Sequence, residues 1–132
     1  MNENTIKYND LLKSVYEKAL KPAGFCRYGG NFRRFYKSQI FTTGLLVSFV
    51  SYGKEEDVSF AVLLGKKSSF NGEPSASFRT SDCPIPARTY LTELSENSFR
   101  RFVIDENTDV TALTNELCSM ITEYALPWLS EI

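Results

Sequence analysis

Between residues 25 and 65 this chain leaves no room for a crossover. Four segments rich in β-branched and aromatic residues follow one another: FCRY (25–28), NFRRFYK (31–37), LLVSFVSY (45–52) and VSFAVLLG (58–65). The connections are two to seven residues long. A parallel pair needs a return of about a dozen residues or more, so these neighbours can pair only antiparallel. Gly29-Gly30, before Asn31, supplies the tight turn of the first hairpin. The second connection, SQIFTTG, leaves two arrangements open. Either the second strand runs on to Phe41 and turns at 42–44, or the turn comes earlier, near Ser38. GKEED (53–57) is a polar hairpin loop. In VSFAVLLG, residues Val58, Phe60, Val62 and Leu64 share one face, the clearest strand alternation in the chain.

Helical spacing brackets this run. In TIKYNDLLKSVYEKAL (5–20), residues Tyr8, Leu11, Leu12, Val15, Tyr16, Ala19 and Leu20 form one apolar stripe, which Pro22 and Gly24 end. From about Thr108, residues Val110, Leu113, Leu117, Met120, Ile121 and Tyr124 form a second stripe. Asn107 is a candidate N-cap there, and Asp109 suits the positive helix end. Pro127 breaks or kinks this helix and leaves Trp128 and Leu129 to pack on in a final turn. Residues 66–77, KKSSFNGEPSAS, read as a surface loop. PIPARTYLTEL (84–94) predicts a strand from about Ala87, and SFRRFVI (98–104) another, paired to it across the SEN turn. The expected fold is one α+β domain over 1–132: an antiparallel sheet of five or six strands, with N- and C-terminal helices packed on one face.

FRRF occurs twice, at 32–35 and 99–102. Alternation along a strand puts Phe32 with Arg34 on one face and Arg33 with Phe35 on the other, and splits the second copy likewise. Each copy therefore gives one phenylalanine to the helix-covered core and leaves another with an arginine on the far side. Three readings of that far side stand open. It is a core edge, with arginine stems lying over apolar surface. It is a protein–protein surface, where aromatic residues and arginine are enriched. Or it is a platform for single-stranded nucleic acid, stacking bases on rings.

The balance of charge favours the first two. Net charge is −1, whereas a protein living on phosphate contacts is usually strongly basic. Nucleic acid is thus an unlikely partner, held as the alternative. The average conceals an asymmetry. Residues 1–37 carry eight Lys/Arg against three Asp/Glu, and residues 104–132 carry six Asp/Glu and no Lys/Arg. The favoured expectation is that the two ends pack as neighbours, since exposed charges are screened beyond about 8 Å; the other reading is that the basic end faces an acidic partner.

Proton-transfer chemistry is poorly equipped. There is no histidine, which removes the commonest general base and metal ligand and every Ser-His or Cys-His pair. No phosphate-binding G-x-x-x-x-G-K-[ST] loop is present. Glu55, Glu56 and Asp57 are adjacent in a polar loop and read as solvated. Cys26, Cys83 and Cys118 are widely spaced, form no C-x-x-C pair, and fit buried thiols in a reducing cytoplasm. Arg88 is expected to be a buried arginine paired to a carboxylate, with anion binding as the other reading. No metal, cofactor or catalytic residue is expected. The polar opening MNENTIKYND has no apolar signal core, and no apolar run reaches the roughly 18 residues of a membrane span.

The order of motifs resembles a family of small bacterial proteins known as domain of unknown function 4304. Its members open with a helix and a GF-x-[KR]-x-G-x-x-F-x-[KR] stretch, matched here by Gly24, Phe25, Arg27, Gly29, Phe32 and Arg34. Cys83 and Arg88 match its later Cys-to-Arg segment, and YALPWL its closing helix. The third strand departs from the family's glutamine-rich pattern and reads VSFVSY. The resemblance implies a bacterial cytosolic α+β domain and supplies no catalytic residue. The function expected is a non-enzymatic, cytoplasmic protein-binding module, of immunity type or self-associating. Its candidate surface is Arg27, Tyr28, Arg33 and Arg34, with Arg100 and Arg101, and Arg88 apart from them.

Overall fold

A computed structural model describes residues 2–37, 41–52, 57–70, 83 and 85–131. Helix α1 spans Glu3–Val15, earlier than the apolar stripe alone suggests, because Asn2 caps it: the Asn2 side chain accepts from Thr5 N at 2.8 Å. The helix then widens through Tyr16–Leu20, where Lys21 N donates to Tyr16 O, five residues back, at 2.7 Å.

Strands β1 (Cys26–Tyr28), β2 (Asn31–Lys37), β3 (Phe41–Tyr52) and β4 (Val58–Phe70) form the antiparallel meander. Gly29 turns the first hairpin with φ +65°. β2 ends at Lys37 and β3 starts at Phe41, so residues 42–44 are strand and the later of the two expected turns is not used; the earlier one, near Ser38, lies outside the described residues. Gly30 is needed for a close approach. Its carbonyl accepts from Phe49 N at 2.8 Å, and a Cβ on it would lie 2.8 Å from Phe49 O. Gly30→Ala should therefore lower the unfolding free energy by about 1–3 kcal/mol in a urea titration. An unchanged midpoint would show that β3 can yield there.

The second half differs from the sequence expectation. β4 runs to Phe70, so residues 66–70 are strand rather than loop. The remainder of that expected loop, 71–77, and residues 53–56 of the GKEED loop lie outside the described residues. A single turn at Ile85–Ala87 leads into β5, which is only Arg88–Tyr90. The chain then becomes helix α2, Leu91–Glu96, where a longer strand is expected. The Glu93 carboxylate accepts from Tyr90 N at 3.4 Å, and Asn97 closes the helix at φ +61°. Nor does the second FRRF segment pair with β5. β6 is Phe102–Ile104 and pairs with β4 at Val58–Phe60, while β5 pairs with β4 at Leu63–Gly65. One edge of β4 thus carries two short strands end to end.

The closing helix α3 spans Val110–Met120 and is capped by Asp109 rather than Asn107: Asp109 Oδ1 accepts from Ala112 N at 3.1 Å. A wide turn at Ile121–Ala125, closed by Leu126 N donating to Ile121 O, leads into α4 (Leu126–Ser130). That turn accommodates Pro127, which has no N–H and would crowd a regular helix. Lys66, on the helix side of β4, fixes the end of α4. Its Nζ donates to Trp128 O at 2.7 Å and Glu131 O at 2.9 Å, and lies 4.1 Å from the Trp128 ring centroid.

The helices cover one face of the sheet. Leu11, Leu12, Val15 and Leu20 from the first helical segment and Leu117, Ile121, Ala125 and Leu129 from the last meet Phe32, Val47, Phe60, Val62, Leu64 and Ile104. α1 packs on α3, so the basic and acidic ends are neighbours as expected, and Lys7 Nζ donates to Asp105 O at 3.2 Å. Among the described residues, no helix is long and apolar enough to cross a membrane.

Candidate functional site

The two FRRF copies each divide between the faces. Phe32 and Phe102 are fully buried and end a row of rings, Phe32–Phe49–Phe60–Phe102, with successive centroids 5.7, 5.9 and 5.3 Å apart. Phe35 and Phe99 are exposed.

The arginines, by contrast, do not gather into one surface. Arg27 Nε donates to Gly29 O at 3.1 Å, inside its own hairpin. Arg33 is only 4% exposed, with its guanidinium 4.9 Å from the Tyr28 centroid. Arg34 points to the helix side: Nη1 donates to Ala23 O at 2.7 Å, and the guanidinium lies over Tyr36. Arg100 pairs with Glu96 at 2.8 Å and Glu116 at 3.3 Å and covers Phe102. The Glu96 hydrogen bond holds the Arg100 pKa above its usual value, and the same bond lowers that of Glu96. Arg101 lies over Tyr52, 4.1 Å from its centroid. β1 and β2 stand at one side of the sheet and β5 and β6 at the other. From β2 to the outer strands is three strand spacings, about 14 Å. The first-hairpin residues and the FRRF arginines of the second copy are therefore separate features.

The side of the sheet away from the helices is covered at its centre, where buried Cys83 packs on Leu46. It is aromatic and open near β5 and β6. Tyr90 meets Phe99 edge to face at 4.6 Å, with the Tyr52 phenol close enough to influence its ionisation. Burial first, then Tyr52 and Glu93, raises the Tyr90 phenol above its ordinary pKa, against the opposing pull of Arg101. Beside Tyr90 lies a groove of about 270 Å³ lined by Leu63, Ile85, Arg88, Thr89, Tyr90 and Glu93. Ile85 is 75% exposed, Val103 50% and Phe99 46%.

Arg88 is where the structure departs most from expectation. It is half-buried, and no carboxylate among the described residues pairs with it. Leu63, Ile85, Tyr90 and Glu93, which complete this site, carry no motif in sequence. Their one signal is the i, i+2 step from Arg88 to Tyr90, which puts both on one side of a strand.

The thiols also differ from expectation. Cys83 is buried and Cys118 half-buried, its thiol pushed up by burial, but Cys26 is exposed. Among the described residues, no cluster of His, Cys, Asp and Glu could hold a metal ion.

The family model described as Domain of unknown function (DUF4304) matches residues 16–131. The chain belongs to this family. The DUF4304 match begins in the wide turn after α1 and runs through α4, so it takes in the whole sheet, the groove and the aromatic cluster. No curated protein and no solved structure matches the chain. Membership of DUF4304 assigns no activity.

Proposed function

We propose that this domain is a protein-interaction module that binds through the sheet face at β5 and β6. The observation that carries this reading is the cluster of exposed apolar side chains, Ile85, Phe99 and Val103, set among Tyr52, Tyr90 and Arg101. Aromatic residues and arginine with a polar rim are the composition of interface centres. Single-stranded nucleic acid is the weaker reading. Following phosphates requires several presented cations, whereas Arg33 is buried and Arg34 and Arg100 are bonded within the domain. The reading is non-catalytic, because the aromatic cluster offers contact area and no acid–base pair.

The immobilised domain should capture a partner from its host lysate, and Phe99→Ser combined with Val103→Ser should reduce that capture about tenfold or more. Both residues are exposed, so the fold should persist by circular dichroism. Capture should change little between about 50 and 200 mM salt, whereas phosphate-driven binding would fall on the order of a thousandfold for six contacts. Equal capture by the double variant, or salt-sensitive retention of an oligonucleotide, would overturn the proposal.

A further inference from the structure

Building on the reading of this face as a protein-binding surface, we infer that the groove beside β5 receives the carboxyl-terminal residue of a partner polypeptide, with an apolar side chain. Three features converge on that occupant. Arg88 supplies a guanidinium that no carboxylate among the described residues pairs with, in a groove whose other walls are Leu63, Ile85, Thr89, Tyr90 and Glu93. The other arginines of the candidate set are engaged within the domain, by hydrogen bonds or over rings. A planar guanidinium matches a carboxylate with two parallel hydrogen bonds.

The second feature is size. About 270 Å³ holds one apolar side chain and its carboxylate, but not a helix about 10 Å across. The third is the sheet edge. β5 pairs with β4 on one side only, and no strand among the described residues covers its other side, although Tyr90 N is already held by the Glu93 carboxylate at 3.4 Å. An extended chain end can lie along such an edge while its last side chain enters the pocket. Beyond the groove, Tyr90 leads to exposed Phe99, which offers contact to residues upstream of the terminus. Glu93 also lines the groove, with its carboxylate held by Tyr90 N at 3.4 Å; its charge opposes any anion and opposes a doubly charged phosphate more than a single carboxylate, which Arg88 has to offset.

The probes are an N-acetylated tetrapeptide ending in a free leucine carboxylate, the same peptide amidated at its C-terminus, and free leucine. Each is titrated into the full chain and followed by amide chemical shifts. The acid peptide should shift Leu63, Thr89, Tyr90 and Glu93. The amide should bind about tenfold more weakly or worse, the effect of losing one charge-assisted pair. Arg88→Gln should give the same loss for the acid peptide and leave the amide's binding unchanged. Ile85→Ser, at an exposed position, should weaken both peptides without altering the fold.

Equal binding of acid and amide, no shifts at millimolar peptide, or shifts confined to other strands would overturn the assignment. Free leucine binding as tightly as the acid peptide would also overturn it and assign the groove to small amino acids. If the peptides fail while Phe99→Ser with Val103→Ser still abolishes partner capture, the groove assignment falls and the interaction surface stands.

Discussion

Phe60→Ala should lower the unfolding free energy by about 3–5 kcal/mol, the range for removing a buried ring without relaxation around it. Phe60 is fully buried at the junction of β3, β4, β6 and α1. Its ring centroid lies 5.1 Å from Tyr8, 5.9 Å from Phe49 and 5.3 Å from Phe102. A cavity there would separate the ring row into two halves and detach α1 from the sheet. Stability of a domain this size is typically about 5–15 kcal/mol, so the variant should sit near the edge of folding. Phe99→Ala is the internal comparison. It removes an exposed ring with one edge contact to Tyr90, worth about 0.5–1.5 kcal/mol. Urea unfolding of the two variants side by side measures the division between the faces. A loss at Phe60 no larger than that at Phe99 would mean that the ring row does not hold the fold together.

The ring row also shows what could be read in the sequence and what could not. The meander from β1 to β4 was legible because its determinants are local: a Gly-Gly turn, short connections and the period-two pattern of Val58, Phe60, Val62 and Leu64. The second half depended on longer-range competition. RTYLTEL alternates well enough for a strand, yet Leu91 and Leu94 are also three apart, and the Glu93 contact to Tyr90 N tips the segment into a helix. With α2 in place, the second FRRF segment cannot reach β5 as a hairpin and takes the other end of β4. The same tetrapeptide therefore lies wholly within a strand in one copy, while in the other only Phe102 does.

Inner and outer phenylalanines survived that change, because burying an apolar ring is favourable whatever the strand order. The arginines did not keep a common role. Where a guanidinium goes depends on which carbonyl, carboxylate or ring comes within reach, and sequence spacing does not specify that. Arg34 finds Ala23 O and Arg100 finds Glu96, an i, i+4 partner visible in sequence. For Arg88 the informative observation is that the expected ion pair is missing among the described residues, which only coordinates can reveal.

Between pH 10 and 12 the domain should lose about 3 kcal/mol of stability through Tyr8 alone. Burial raises the Tyr8 phenol from 10.0 to about 12 in the folded state, where the side chain is packed against Phe60. Above pH 10 the unfolded chain releases this proton while the folded chain keeps it. The stabilisation is therefore fully present below pH 10 and is lost as pH rises through 12. Two units at about 1.4 kcal/mol each give the size. Tyr90, also raised, adds a loss of the same sign. Lys66 acts oppositely below its ordinary value of 10.5. Burial lowers its folded pKa, the unfolded chain binds the extra proton, and stability rises with pH through that window. Because these other contributions are common to both proteins, the difference between wild type and Tyr8→Phe isolates Tyr8. Unfolding free energies measured by urea from pH 9 to 12 should converge downward for wild type relative to Tyr8→Phe by about 3 kcal/mol. Parallel curves would mean that the phenol ionises in place without strain, and that α1 lies less tightly on Phe60 than a 5.1 Å ring contact requires.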